Sequence, residues 1–164
     1  MCHAISGIAI KAGDTVDVRT SDDDSHETIR KHHYIRDGLG AGSARQTPIE
    51  LIPVRGVEQI DQFDFVFGAG QPDWWTERMT EAATEQLFRA WRARWCDKSL
   101  VAPYDLDLGS LTTLPAGVTL KAGGHLYLGS LTALPDDVKI VAKEVYGGTA
   151  WYSTDEYMRR MRAK

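Results

Sequence analysis

The chain has 164 residues, enough for one ordinary domain or two small ones, and its 43% hydrophobic and 26% charged residues are normal globular usage, which argues against disorder. A net charge of −4 gives no global field to draw in a nucleic-acid backbone. The two cysteines lack paired spacing and no apolar run approaches the roughly 18 residues of a membrane span, so a soluble, cytoplasmic protein without a disulfide framework is expected.

Residues 3–11 alternate as a strand, with Ser6, Ile8 and Ile10 on one face. Ala12, Gly13 and Asp14 can turn the chain into a second strand over 15–20, which predicts a β-hairpin. Asp22, Asp23 and Asp24 break that strand. Asp24 followed three residues later by Glu27 has capping-box spacing and opens a short helix, with Ile29 and either His33 or His32 on its inner face. A glycine-rich loop at 38–43 leads to strands at 49–54 and 63–67, the second with Phe63, Phe65 and Phe67 on one face. Asp73 is placed to cap the longest helix, running to about Trp95. Trp75, Met79, Ala82, Ala83, Leu87, Trp91 and Trp95 recur along it at three- and four-residue steps, an apolar stripe that should pack on the sheet. Residues 1–98 thus read as a small α+β unit of ββαββα type.

After a linker at 96–103, residues 106–118 (LDLGSLTTLPAGV) and 126–138 (LYLGSLTALPDDV) repeat in register 20 positions apart. A period of this length is the sequence mark of a solenoid, and it predicts a short β-solenoid or leucine-rich-repeat-like stack over 104–164. In such a stack Leu108, Leu111, Leu114 and Val118 lie over Leu128, Leu131, Leu134 and Val138. Pro115 and Pro135 suit bends. Tyr146 begins a degenerate third coil. Ser153 and Glu156 form a capping box for a last helix bearing Tyr157, Met158 and Met161, which would close the open end of the stack.

The sharpest chemical candidate is Cys2. If Met1 is removed, the exposed α-amine, with a pKa near ~8, could serve as base to the thiol. His26, next to Asp24 and Ser25, is the candidate acid–base partner, with Asp24 as a further carboxylate. The competing reading makes Cys2 a small buried hydrophobe and Asp24 and Ser25 a helix cap. His3, His32 and His33 with Cys2 lack metal-ligand spacing, so neither a metal nor a cofactor is expected. The run from Arg89 to Trp95 mixes cations with aromatics, but its tryptophans share the apolar stripe and its arginines suit a helix C-terminus. A nucleic-acid partner is therefore not expected.

The opening MCHAISGI is similar to the start of class II glutamine amidotransferases, with the glycine one position late and the downstream motifs missing. Cys2, Ala4, Ser6, Asp24, Ser25, His26, Ile29, Pro72 and Trp74, with the variable repeats behind them, resemble a loose group of bacteriophage proteins over about the first 95 residues. That resemblance implies a phage or prophage origin and a place in the host cytoplasm. The tail resembles the leucine-rich repeats of bacterial and phage recognition proteins. Together these features predict an accessory protein that binds a protein partner, interfering with a host function or defence system. The alternative is a thiol-dependent hydrolase or transferase using Cys2.

Overall fold

Between Ala12 and Thr15 only Gly13 and Asp14 are left to reverse the chain, and Gly13 does so at φ +65, a left-handed conformation that costs glycine nothing. The hairpin joins β1 (Ile5–Ala12) to β2 (Thr15–Arg19). A computed structural model of the chain describes residues 5–21, 25–33, 35, 45–96 and 98–163. Cys2, His3, Asp24 and the 38–43 loop lie outside the described residues.

The chain divides into two compact units, one taking the residues up to Ile52 with Asp64–Trp91, the other Pro53–Phe63 with Arg92–Lys164. In the first, β3 (Gln46–Pro53) runs antiparallel to β1 with Ile5 opposite Leu51, and β4 (Phe63–Phe67) adds beside it, giving the order β2-β1-β3-β4. A one-sided strand with Ser6, Ile8 and Ile10 inward is not what forms. Ile5, Ser6, Gly7, Ile8 and Ala9 are all buried, because β1 is an interior strand covered on both faces. Pro48 sits inside β3 without disrupting it. Its carbonyl accepts from Gly68 N–H at 2.9 Å just beyond β4, so its missing donor points where the neighbouring strand has ended.

Helix α1 (His26–His32) is capped by Ser25, whose hydroxyl accepts from Thr28 N–H, one position later than the Asp24 spacing suggested. Ile29 is its buried residue, and His33 closes it with its backbone N–H on the Ile29 carbonyl at 3.0 Å, while its Nε2 donates to the Thr20 carbonyl at 2.8 Å. Helix α2 (Glu77–Arg94) starts after Asp73, which stays exposed in the preceding turn. The Thr76 carbonyl accepts the first helical bond, from Thr80, and Thr80 Oγ1 accepts from the Trp75 indole at 2.8 Å. Met79, Ala83, Leu87 and Trp91 form the buried stripe; Ala82 lies at its margin, and Trp95 belongs to a strand instead. Leu87 crosses the sheet at Gly7, where a Cβ would clash with it and with Val18. Trp75 stacks on Phe65 (centroids 5.8 Å) and meets Phe67 edge-on at 5.0 Å.

In the second unit, β5 (Trp95–Cys96) turns through Lys98, at φ +59, into an antiparallel β6 (Ser99–Ala102). Parallel to β6 run β8 (Thr119–Ala122) and β10 (Lys139–Val141), with Leu100, Leu120 and Ile140 in register. A second sheet sets β7 (Leu106–Asp107), β9 (Leu126–Tyr127) and β11 (Val145–Tyr146) in parallel, closed by β12 (Trp151–Tyr152) running antiparallel to β11. The inward members Leu106, Leu126 and Val145, together with Leu100, Leu120 and Ile140 of β6, β8 and β10, the repeat leucines 108, 111, 114, 128, 131 and 134, and Val118 and Val138, are buried in the core. At Gly123 a Cβ would collide with the Pro103 carbonyl, so successive repeats approach as closely as they do only over glycine. Helix α3 (Thr154–Arg162), capped by Ser153, packs on β10 and β12, and Arg162 donates to the Asp136 and Val138 carbonyls.

The fold class corrects the sequence expectation. The chain is mixed α/β, with three α-helices and three four-stranded sheets among the described residues, rather than an α+β unit followed by a β-solenoid or leucine-rich stack closed by a helix. Three findings overturn the expectation. Both sheets of the second unit are mixed, each ending on an antiparallel strand. No helix recurs with the repeat, and the longest lies mid-chain at 77–94. The supposed third coil is a hairpin, reversed where Gly147 N–H donates to the Ala150 carbonyl and Gly148 adopts φ +89. A repeat specifies which residues stack, while the turns beyond it set the direction of the flanking strands. The expected 96–103 linker itself carries β6. Among the described residues, no helix is long and apolar enough to cross a membrane.

Candidate functional site

Of the residues singled out for chemistry, His26 is the one described. It opens α1 with its imidazole against β3, Nε2 donating to the Ile49 carbonyl at 3.3 Å and Nδ1 3.8 Å from Glu50 Oε1; 19% of the side chain is exposed. Cys2 and Asp24 are outside the described residues. The tryptophans of the basic run do not face solvent together: Trp91 is fully buried while Arg89 and Arg92 are exposed.

The arrangement most suited to recognition is one that sequence reading missed. In the β7-β9-β11-β12 sheet, side chains alternate between core and solvent. Leu106, Leu126 and Val145 point inward, so their neighbours on either side point outward. One outward row runs across all four strands as Asp107, Tyr127, Tyr146 and Trp151, register partners in turn. The row beside it, just ahead of the strands, is Asp105, His125 and Glu144, tied by the Leu106 N–H to His125 carbonyl bond and the Leu126 N–H to Glu144 carbonyl bond.

The rings form one cluster. Trp151 contacts His125 (5.0 Å between centroids), Tyr127 (5.3 Å) and Tyr146 (5.3 Å), and the two tyrosines lie 6.1 Å apart. Despite these contacts Trp151 remains 44% exposed. The Tyr146 hydroxyl donates to the Gly148 carbonyl at 2.9 Å, which holds the ring over the hairpin turn. The His125 imidazole sits between two carboxylates, Nδ1 3.2 Å from Asp105 Oδ1 and Nε2 3.7 Å from Glu144 Oε2. Asp105 also accepts from His125 N–H at 2.7 Å, and Asp107 accepts from Gly109 N–H at 2.9 Å, so both carboxylates are anchored in place. Partial burial, then the Asp105 and Asp107 carboxylates, hold the Tyr127 phenol above its ordinary value. The surface is therefore an aromatic platform with negative potential. Among the described residues no group of His, Cys, Asp and Glu, this one included, is arranged to hold a metal ion.

One sequence signal did mark this face. The two repeats agree in register except at outward positions, and LDLGSL against LYLGSL differs at Asp107 and Tyr127 alone. Elsewhere, a concavity of about 390 Å³ beside α3 has Gly147, Thr149, Tyr152, Tyr157 and Arg160 in its lining. Its cation is already committed, since the Arg160 guanidinium bonds the Glu156 carboxylate at 2.9 Å and covers the Tyr152 ring. No family model matches the chain, and neither a curated protein nor a solved structure is significantly similar to it.

Proposed function

We propose that the protein acts by binding another protein through the outward face of the β7-β9-β11-β12 sheet. The observation that carries this reading is the continuous contact of His125, Tyr127, Tyr146 and Trp151 on the solvent side of the sheet, with Trp151 left 44% exposed. Large, stiff amphipathic side chains clustered this way supply contact area at low entropic cost, and aromatic residues dominate binding hot spots. In this reading the resemblance at Cys2, Ala4, Ser25 and His26 supplies the context: a phage accessory protein whose binding interferes with a host function or defence.

The test is capture of a partner from bacterial lysate by the wild-type chain and by the Tyr127→Ala, Trp151→Ala double variant, followed by hydrogen exchange on the complex. The reading expects a partner lost with the double variant and new protection confined to β9, β11 and β12. Protection confined to another surface, or capture unaffected by the double variant, would overturn it.

A further inference from the structure

The chemistry of the face narrows the kind of partner it takes. Two of its carboxylates, Asp105 and Glu144, are 52% and 50% exposed, and a third, Asp107, follows in the aromatic row. Against these three acids the two rows hold a single ionisable nitrogen base, His125, already lodged between Asp105 and Glu144. The ring faces of Tyr127, Tyr146 and Trp151 add the negative side of their quadrupoles. An anionic or acidic ligand would be repelled by the three carboxylates and by the ring faces, whereas a cation over the rings meets attraction from both.

Resting on the binding reading above, we infer that the partner presents a basic, extended segment to this face, with arginine side chains laid on the Trp151 and Tyr127 rings and hydrogen-bonded to Asp105, Asp107 and Glu144. Arginine suits the site better than lysine because its planar guanidinium stacks on an aromatic face while its edge N–H groups remain available to carboxylates. Four strands at about 4.8 Å spacing make the row from Asp107 to Trp151 about 14 Å long, room for roughly four residues of extended chain. Every second side chain of such a segment would face the platform.

An octapeptide of alternating arginine and glycine is the probe, titrated into the full-length protein and followed by calorimetry and by amide and indole NMR shifts. Its controls are the citrulline peptide, a neutral near-isostere, a glutamate peptide, and a neutral β-glucan oligosaccharide, since aromatic platforms also receive sugars. The arginine peptide should shift the Tyr127, Tyr146 and Trp151 resonances and weaken as salt is raised. The citrulline peptide should bind roughly tenfold more weakly, and Glu144→Gln combined with Asp107→Asn should weaken the arginine peptide by a similar factor. Those charge variants lie on the surface and keep the test valid should Trp151→Ala disturb the β11 and β12 hairpin. Equal binding of the citrulline and arginine peptides, preference for glutamate or the oligosaccharide, or no shift on this face would each overturn the inference. If the peptide fails while a captured partner still protects β9, β11 and β12, the basic-segment inference falls and the binding reading stands; protection elsewhere removes both.

Discussion

Tyr157 is nearly fully buried on the inner side of α3, and its phenol hydroxyl has no hydrogen-bond partner among the described residues. The ring contributes apolar burial, while the stranded hydroxyl costs about 1–3 kcal/mol of desolvation that nothing offsets. Tyr157→Phe is therefore expected to leave the fold unchanged and raise stability by about 1 kcal/mol in urea unfolding; a loss of more than that would mean the hydroxyl has a partner. Burial also pushes this phenol up to about 12. Because the folded value lies above the ordinary value near 10, the unfolded chain releases its proton first as pH rises. The stability associated with Tyr157 is thus fully present below pH 10 and is lost as pH climbs through 12, by roughly 2 kcal/mol. The stability gap favouring Tyr157→Phe should widen across that window, and parallel pH curves for the two proteins would contradict it.

Helix α2 shows what an element contributes beyond its apolar stripe. The outer edge of β2 would otherwise leave the Val18 N–H and the Val16 carbonyl without a strand to pair with. Gln86 meets both: its Oε1 accepts from Val18 at 2.9 Å and its Nε2 donates to Val16 at 2.8 Å, so one carboxamide stands in for a neighbouring strand. Gln86→Ala is expected to cost about 1–3 kcal/mol and to speed exchange of the Val18 amide well beyond that of Ala9 in the adjoining interior strand. Unchanged exchange at Val18 would show that the edge is protected otherwise. On the stripe itself Trp91→Ala should cost about 3–5 kcal/mol, against about 0.5 kcal/mol or less for the exposed Arg92→Ala. The stripe was legible because its spacing follows the helical period. Gln86 was not, because a glutamine on an amphipathic helix reads as solvent-facing until the strand beside it is known.

At the scale of the whole chain, the two units are not consecutive stretches. Between β3 and β4 the chain leaves the first sheet, and residues 53–63 cluster with the second unit, where Val57 is buried and the Pro53 carbonyl accepts from the Ser110 hydroxyl. The loop is held by its own bonds: Gln62 receives the Val54 N–H on its backbone carbonyl and the Glu58 and Gln59 N–H groups on its side chain. A fragment of residues 99–164, cut where the sequence suggests a boundary, lacks both this loop and β5. It is expected to melt without a cooperative transition while the full chain unfolds cooperatively. A sharp calorimetric transition in the fragment would show that the repeats are self-sufficient.

The sequence alone determined the local elements: the reversal at Gly13, the Ser153 cap, the face of α2 that is buried, and the twenty-residue register that brings Leu106 to Leu126. Each depends on neighbours within a few residues or on a period, and both are written directly in residue order. The tertiary structure decided the rest. It set the mixed direction of the two later sheets, because the turns at Lys98 and at 147–150 reverse strands the repeat does not contain. It moved residues 53–63 from one unit to the other. It also gathered Asp105, Asp107, His125, Tyr127, Glu144, Tyr146 and Trp151 onto one face, because parallel pairing stacks residues about twenty apart and the terminal hairpin folds an indole back over them. Such a surface is made by strand pairing between distant segments, and no local pattern of polarity encodes which distant segment a strand will choose.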